Sequence, residues 1–161
     1  MKNDTESWER LLYVLDWVLG VKLRHSESLD FSLAYINFDD RETLGNRYGA
    51  MQAARMLVEL THELDSHLRK TDIVARNGTD FWVFFPHIEA ESVVPKVAKI
   101  IEVAAEKGFD AVERDISLFA LTDNSILKQN GLDSPLRFLD YVKTHCNVAR
   151  SWPVKNDEQD A

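Results

Sequence analysis

The sequence predicts an α+β domain of the βαββαβ type, with helices packed on an antiparallel-containing sheet. Three observations predict it. The first is a hairpin signature, Asn77-Gly78, between the apolar runs Ile73–Ala75 and Phe81–Phe85; Asn and Gly both tolerate the positive φ of a tight turn. The second is the order of hydrophobic periodicities, which reads helix, strand, helix, strand, strand, helix, strand, helix. The third is size: 161 residues with 45% hydrophobic and 29% charged content suit one core-forming domain.

Each element has its local reasons. Residues 6–24 read as a helix that Asp4 or Thr5 can cap. Trp8, Leu11, Leu12, Leu15, Val18 and Leu19 form one apolar face, and Tyr13, Val14 and Trp17 lie outside it. A helix apolar on more than one side needs a second partner, either within the domain or in another subunit. Phe31–Phe38 is apolar on both faces, as a central strand is. The acidic stretch Asp39-Asp40 follows it, and its charges read as solvated loop or as metal ligands at a strand end. Gly49–Arg69 reads as a long helix with Ala50, Ala54, Leu57, Leu64 and Leu68 on its buried face. His62 and His67 are five apart, so they do not share a helical face as a metal-binding pair four apart would, and they read as surface histidines.

After the hairpin, Ser92 is expected to cap a helix over Val93–Lys107, with Pro95 in its first turn and Gly108 as its stop. Val93, Val97, Ile100, Ile101 and Ala104 face inward. Asp115–Leu121 is a further strand, and Asn130-Gly131 a turn. Ser134-Pro135 opens a last helix through about Cys146, with Leu136, Leu139 and Val142 inward. The polar tail 155–161 is expected to be disordered, leaving residues 1–154 as a single domain with an N-terminal helix.

Composition narrows the function classes. A net charge of −8 argues against nucleic acid or an anionic membrane as the main partner. The single cysteine, Cys146, cannot form an internal disulfide, which fits a reducing cytoplasm. The apolar stretch Leu11–Val21 is interrupted by Asp16 and is too short to span a bilayer. No cofactor or metal site is expected.

The ordered set of motifs resembles the GGDEF domain of bacterial diguanylate cyclases, a nucleotidyl-cyclase-like fold. Tyr48-Gly49 stands at the family's Y-G, Arg69 and Asp72 at its R-x-x-D, and Ile73–Arg76 at the following strand. Asn77, Gly78, Thr79, Asp80 and Phe81 stand in the place of the five signature residues, and Phe81–Pro86 keep the register. Trp8–Leu11 looks like the family's first helix. The resemblance covers roughly residues 8–121. Against it, the spacing from Asp72 to the signature is one residue short, and Leu139–Arg150 matches the family's last segment poorly.

The resemblance implies two divalent metals held between the first strand's Asp and a signature acid, polarising a triphosphate and activating a 3′-hydroxyl. This chain has Asn37 at the first position and Thr79 at the first signature acid. Asp39 keeps the second acidic position and Asp80 is the remaining signature carboxylate. An amide is a weak ligand for a hard cation and brings no charge. The family's guanine-reading Asn falls at Gly45, with Asn46 adjacent, and its guanine-reading Asp falls at Ala54. The expectation is a degenerate GGDEF domain that is not an enzyme and has no catalytic residues.

What survives is Arg69-x-x-Asp72, which in the family is part of a product-binding inhibitory site. There an Arg can fork onto phosphate and stack on guanine, while the Asp accepts from the guanine edge. Lys99 falls roughly where the family places a second phosphate-binding cation. Arg69, Asp72 and Lys99 are therefore the candidate ligand-binding residues for cyclic di-GMP. The alternative is a protein-interaction or dimerisation module with no nucleotide ligand; Arg69 is then a helix-terminal cation favoured by the dipole.

Overall fold

A computed structural model describes residues 4–37, 46–86, 90–109 and 116–145. The elements run α1 (Asp4–Arg24), β1 (Phe31–Asn37), α2 (Ala50–Ser66), β2 (Ile73–Asn77), β3 (Asp80–Phe85), α3 (Ala90–Glu106), β4 (Ile116–Leu121), α4 (Ser125–Gln129) and α5 (Pro135–His145). The four strands form one antiparallel sheet in the order β2-β3-β1-β4. β1 lies inside it, paired on both edges, which is why Phe31 to Ile36 are all buried.

Strand alternation divides the core into two layers. Ala34, Ile36, Val83 and Phe85 point to one face, where Leu57, Leu60 and Leu64 of α2 and Val97 and Ile100 of α3 cover them. Phe31, Leu33, Trp82 and Phe84 point to the other, under Leu11 and Leu15 of α1 and Phe138 and Val142 of α5. α1 is thus a full member of the second core layer, and Leu11 and Leu15 are fully buried.

The hairpin forms as its sequence predicts. Gly78 takes φ 66° in the turn, which a Cβ would disfavour, and Arg76 donates to the Gly78 carbonyl at 2.8 Å. Gly108 also ends its helix as expected, at φ 94°.

Several expectations change. α2 stops at Ser66, so Arg69 lies in a turn beyond the helix and not in its last turn. On α2 Leu57 and Leu64 are buried as expected, but the buried small residue is Ala53; Ala50 and Ala54 are exposed, because the inward line runs Ala53, Leu57, Leu60, Leu64. α3 starts at Ala90, three residues before the expected Val93, which puts Pro95 inside the helix instead of in its first turn. The short α4 has no apolar period long enough to announce it; Asp123 Oδ1 accepts from the Ser125 amide at 2.8 Å at its start. That bond, followed by the one from the Ser125 side chain, holds the exposed Asp123 carboxyl below its ordinary range. On α5, Leu136 is exposed and Phe138 takes the inward place. Asp39, Asp40, Gly45, Asp115, Cys146 and the 155–161 tail lie outside the described residues.

Candidate functional site

The β-hairpin places three candidate regions. The first is built where β1 and β3 end side by side. Asn37 and Asp80 are cross-strand partners, and Tyr35 lies one step back on the same face. Period-two alternation turns all three toward the layer of α1 and α5. The Asp80 carboxylate is surrounded by donors there. Its Oδ1 accepts from the Tyr35 hydroxyl at 2.8 Å and from Asn37 Nδ2 at 2.9 Å. Its Oδ2 accepts from Lys143 Nζ of α5 at 2.7 Å. Asn37 Nδ2 also donates to Thr79 Oγ1 at 3.2 Å. Lys143 further lies over the Tyr35 ring, 5.8 Å from its centre. A small cleft of about 150 Å³ opens beside this cluster, between Trp8, Trp82, Leu139, Asp140 and Lys143.

The motif positions Asn37, Thr79 and Asp80, joined by Tyr35, therefore form one bonded group closed by an internal cation. Lys143 was not legible, because nothing in the sequence ties position 143 to the hairpin. Asn77 and Phe81 of the signature serve the fold instead: Asn77 is paired with Asp80 in the β2–β3 ladder, and Phe81 is fully buried. Ala54, the position of one expected guanine reader, is an exposed methyl.

The second region precedes β2. Arg69 and Asp72 close a tight turn on each other: the Asp72 amide donates to the Arg69 carbonyl at 3.0 Å, and Asp72 Oδ2 accepts from the Arg69 amide at 3.1 Å. The same Oδ2 accepts from Lys96 Nζ of α3 at 3.1 Å. Lys96 also sits over the Phe85 ring at 5.6 Å. The Asp72 side chain is fully buried, and among the described residues its Oδ1 has no hydrogen-bond partner. Arg69 is exposed. The cation brought to Asp72 is Lys96; Lys99, one turn further along α3, faces solvent and pairs with Glu102 at 3.1 Å. Helical spacing allowed either lysine, and the burial of Val97 and Ile100 sets which one turns toward Asp72.

The third region is apolar. Tyr13 and Trp17 on α1 are 77% and 60% exposed. They border a groove of about 480 Å³ whose other walls include Leu29, Phe31, Phe84 and Pro86. Among the described residues no helix is long and apolar enough to cross a membrane, and no cluster of three or more His, Cys, Asp or Glu side chains forms a metal site.

Comparison with known proteins agrees with this architecture. A family model described as "Diguanylate cyclase, GGDEF domain" matches residues 18–119. No curated protein matches the sequence. Among solved structures, the GGDEF domain of YfiN (TpbB) from Pseudomonas aeruginosa is 17% identical, with a TM-score of 0.62 and coverage of 89% of each chain. The diguanylate cyclase SiaD from Pseudomonas aeruginosa, solved with its activator SiaC, is 18% identical at TM-score 0.59; the match covers 86% of this chain but 55% of SiaD. The active GGEEF domain of a Vibrio cholerae diguanylate cyclase is 15% identical at TM-score 0.53, covering 90% of this chain and 93% of that one. At these identities the likeness is one of fold.

Proposed function

The chain belongs to the GGDEF family, and from that membership we propose that it is a signalling domain without cyclase activity, a cytoplasmic receptor that binds cyclic di-GMP and does not make it. The observation that carries the loss of activity is the engagement of Asp80. The family's chemistry calls for divalent metals between the first-strand and signature carboxylates, and the residues here do not fit such ions. Position 37 presents an amide N–H to the carboxylate and so acts as a donor, where a metal needs an anionic oxygen. Both Asp80 oxygens already accept hydrogen bonds, one of them from an ammonium 2.7 Å away. A hard cation at this point would face Lys143 at close range, without the charge that Asn37 and Thr79 have removed.

The ligand reading rests on the cations around Asp72. Arg69 is exposed, and Lys96 is held at the same carboxylate. An Arg fork and a neighbouring ammonium suit a phosphate. Asp72 is buried, so in this reading it positions Lys96 and the Arg69 turn, and the two cations meet the ligand. Its Oδ1, without a partner among the described residues, is a further acceptor for a guanine edge if the turn opens on binding.

A second reading, an interaction module with no nucleotide ligand, is favoured by the exposed Tyr13 and Trp17 beside their apolar groove. Two measurements separate the readings. Purified protein with GTP and magnesium or manganese is expected to yield no cyclic di-GMP; product that disappears in Asp80→Ala would overturn the loss of activity. Calorimetry with cyclic di-GMP at moderate salt is expected to show binding, and no heat would leave only the interaction module.

A further inference from the structure

Among the described residues five large hydrophobic side chains are exposed, and three of them, Tyr13, Trp17 and Leu29, border one groove. Leu29 is also the one non-glycine residue with positive φ among the described residues, at 56°. That left-handed conformation is strained for a residue with a side chain. Burial of the side chain does not offset the strain, because Leu29 is 41% exposed. What holds the conformation is Lys22. Its side chain is fully buried, and its Nζ donates to the Ser28 carbonyl at 3.0 Å and to the Asp30 carboxylate, one residue to either side of Leu29. Asn124 fastens the same segment. Its side chain donates to the Lys22 and Leu23 carbonyls at 3.2 and 3.0 Å, and its amide donates to Ser26 Oγ at 2.9 Å. A buried cation thus keeps an apolar side chain in water at the rim of a groove. Strain that the surroundings over-determine in this way marks a binding wall.

We propose that this groove binds an amphiphilic organic cation, a small molecule with a flat apolar body and an ammonium end. Its volume of about 480 Å³ lies within the roughly 300–1,000 Å³ of small-ligand sites. A protein partner needs on the order of 1,000 Å² of buried surface, whereas the exposed apolar patch here is three side chains, with the charged Asp16 and Arg24 exposed beside it on α1. Tyr13 and Trp17 offer ring faces to an apolar body and to a cation beside it. Asp30 is the only charged side chain on the groove wall and is 37% exposed. Lys22 takes one of its oxygens, and among the described residues the other has no partner. An ammonium meets that oxygen with a charge-assisted hydrogen bond, while an anionic ligand meets repulsion. The net charge of −8 favours the same sign of ligand. Phe31 and Phe84 place the groove in the layer of α1 and α5, across the sheet from Lys96 of α3. The site is therefore separate from the proposed cyclic di-GMP contacts, and of the interaction-module reading the proposal takes only the groove.

The test titrates the isotope-labelled whole chain with phenylbutylamine, an ammonium at neutral pH, and follows amide and indole resonances by NMR. Phenylbutanol and phenylbutyrate serve as its neutral and anionic counterparts. The amine is expected to shift the Trp17 indole and the Leu29 and Phe84 amides saturably. Phenylbutanol should bind about tenfold or more weakly, from loss of the charge-assisted bond, and phenylbutyrate more weakly still. This series reads the charge on the wild-type chain without Asp30→Asn, which would strand the buried Lys22. Trp17→Ala and Tyr13→Ala change exposed side chains, so both variants should fold, and each should weaken the amine by about tenfold. Leu29→Gly should melt no lower than wild type, because glycine takes the positive φ freely, and should still bind the amine more weakly. No saturable shift up to millimolar amine would overturn the proposal, as would equal affinity for phenylbutyrate or shifts unchanged in Trp17→Ala. A Trp17 indole that shifts with protein concentration in the absence of amine would assign the groove to a second copy and overturn it too. None of these outcomes alters the cyclic di-GMP calorimetry, which reads the other side of the sheet.

Discussion

Asp72 and Asp80 stand at opposite ends of β2, five residues of strand apart, and each is met by a lysine from a helix. Lys96 comes from α3 on one side of the sheet and Lys143 from α5 on the other. The chemistry is the same and the setting is not. The Asp72 side chain is 0% exposed and its lysine 20%, whereas Asp80 is 18% exposed and its lysine 43%. Removing one partner of a buried pair strands a charge away from water, while a wetter pair is screened by solvent and salt. The Asp72 end is therefore an anchor of the fold, and the Asp80 end is a wetter pair that adds little to stability. The difference teaches that the functional reading of a carboxylate depends on who already holds it, since both are acids at motif positions.

The largest expected effect tests the buried end. Lys96→Met keeps the length of the stem over Phe85 and removes the charge, leaving Asp72 buried with the Arg69 amide as its donor. A loss of about 3 kcal/mol is expected, at the low end for a broken buried pair because Lys96 is partly wet. For a chain of this size each kcal/mol moves the melting temperature by roughly 2–4 °C. Adding Asp72→Asn should recover much of the loss, because the stranded charge is then gone. A Lys96→Met variant as stable as wild type would mean that Asp72 is no anchor, and the contrast between the two ends would fail.

How much of this was legible follows the same division. The strands and their order were readable because alternation and the Asn77-Gly78 turn are local signals. The central place of β1 was readable from its apolar groups on both faces. The altered positions Asn37 and Thr79 were readable because each is a residue in register with a motif. The lysines were harder. Lys96 and Lys99 sit one turn apart on α3, and only packing decides which of them turns to Asp72. Lys143 lies 63 residues from Asp80 in a segment with little likeness to the family, so no local pattern joins them. Leu136 and Phe138 exchanged roles for a related reason: their exposure is set by how α5 lies on the sheet, which helical period alone leaves open.

A middle effect separates anchoring from binding at the same end. Arg69 is exposed, and its backbone, not its side chain, bonds Asp72. Arg69→Ala should leave the melting temperature within about 1–2 °C of wild type, since exposed substitutions usually change stability by less than about 0.5 kcal/mol. The same change should weaken cyclic di-GMP binding by about ten- to a hundredfold, from the loss of a charge-assisted hydrogen bond worth roughly 1.5–3 kcal/mol. Calorimetry and thermal denaturation on one preparation read both quantities. Equal affinity for wild type and variant would remove Arg69 from the ligand contacts.

The smallest expected effect lies at the Asp80 end. Lys143→Ala removes an ammonium from a carboxylate that keeps two other donors, the Tyr35 hydroxyl and the Asn37 amide. Partial exposure of both charges means the pair contributes on the order of 0–1 kcal/mol, so urea denaturation should show a change no larger than that. The contribution should also fade in high salt, since the Debye length shortens to about 3 Å at 1 M, whereas the Lys96→Met loss should persist. The variant is expected to make no cyclic di-GMP, because Asn37 and Thr79 supply no carboxylate at their positions. If Lys143→Ala costs as much as Lys96→Met, the hairpin end is an anchor too, and Lys143 holds α5 to the sheet as firmly as Lys96 holds α3. If instead the variant makes cyclic di-GMP, the proposed inactivity reduces to a block by Lys143 alone, reversible by one substitution.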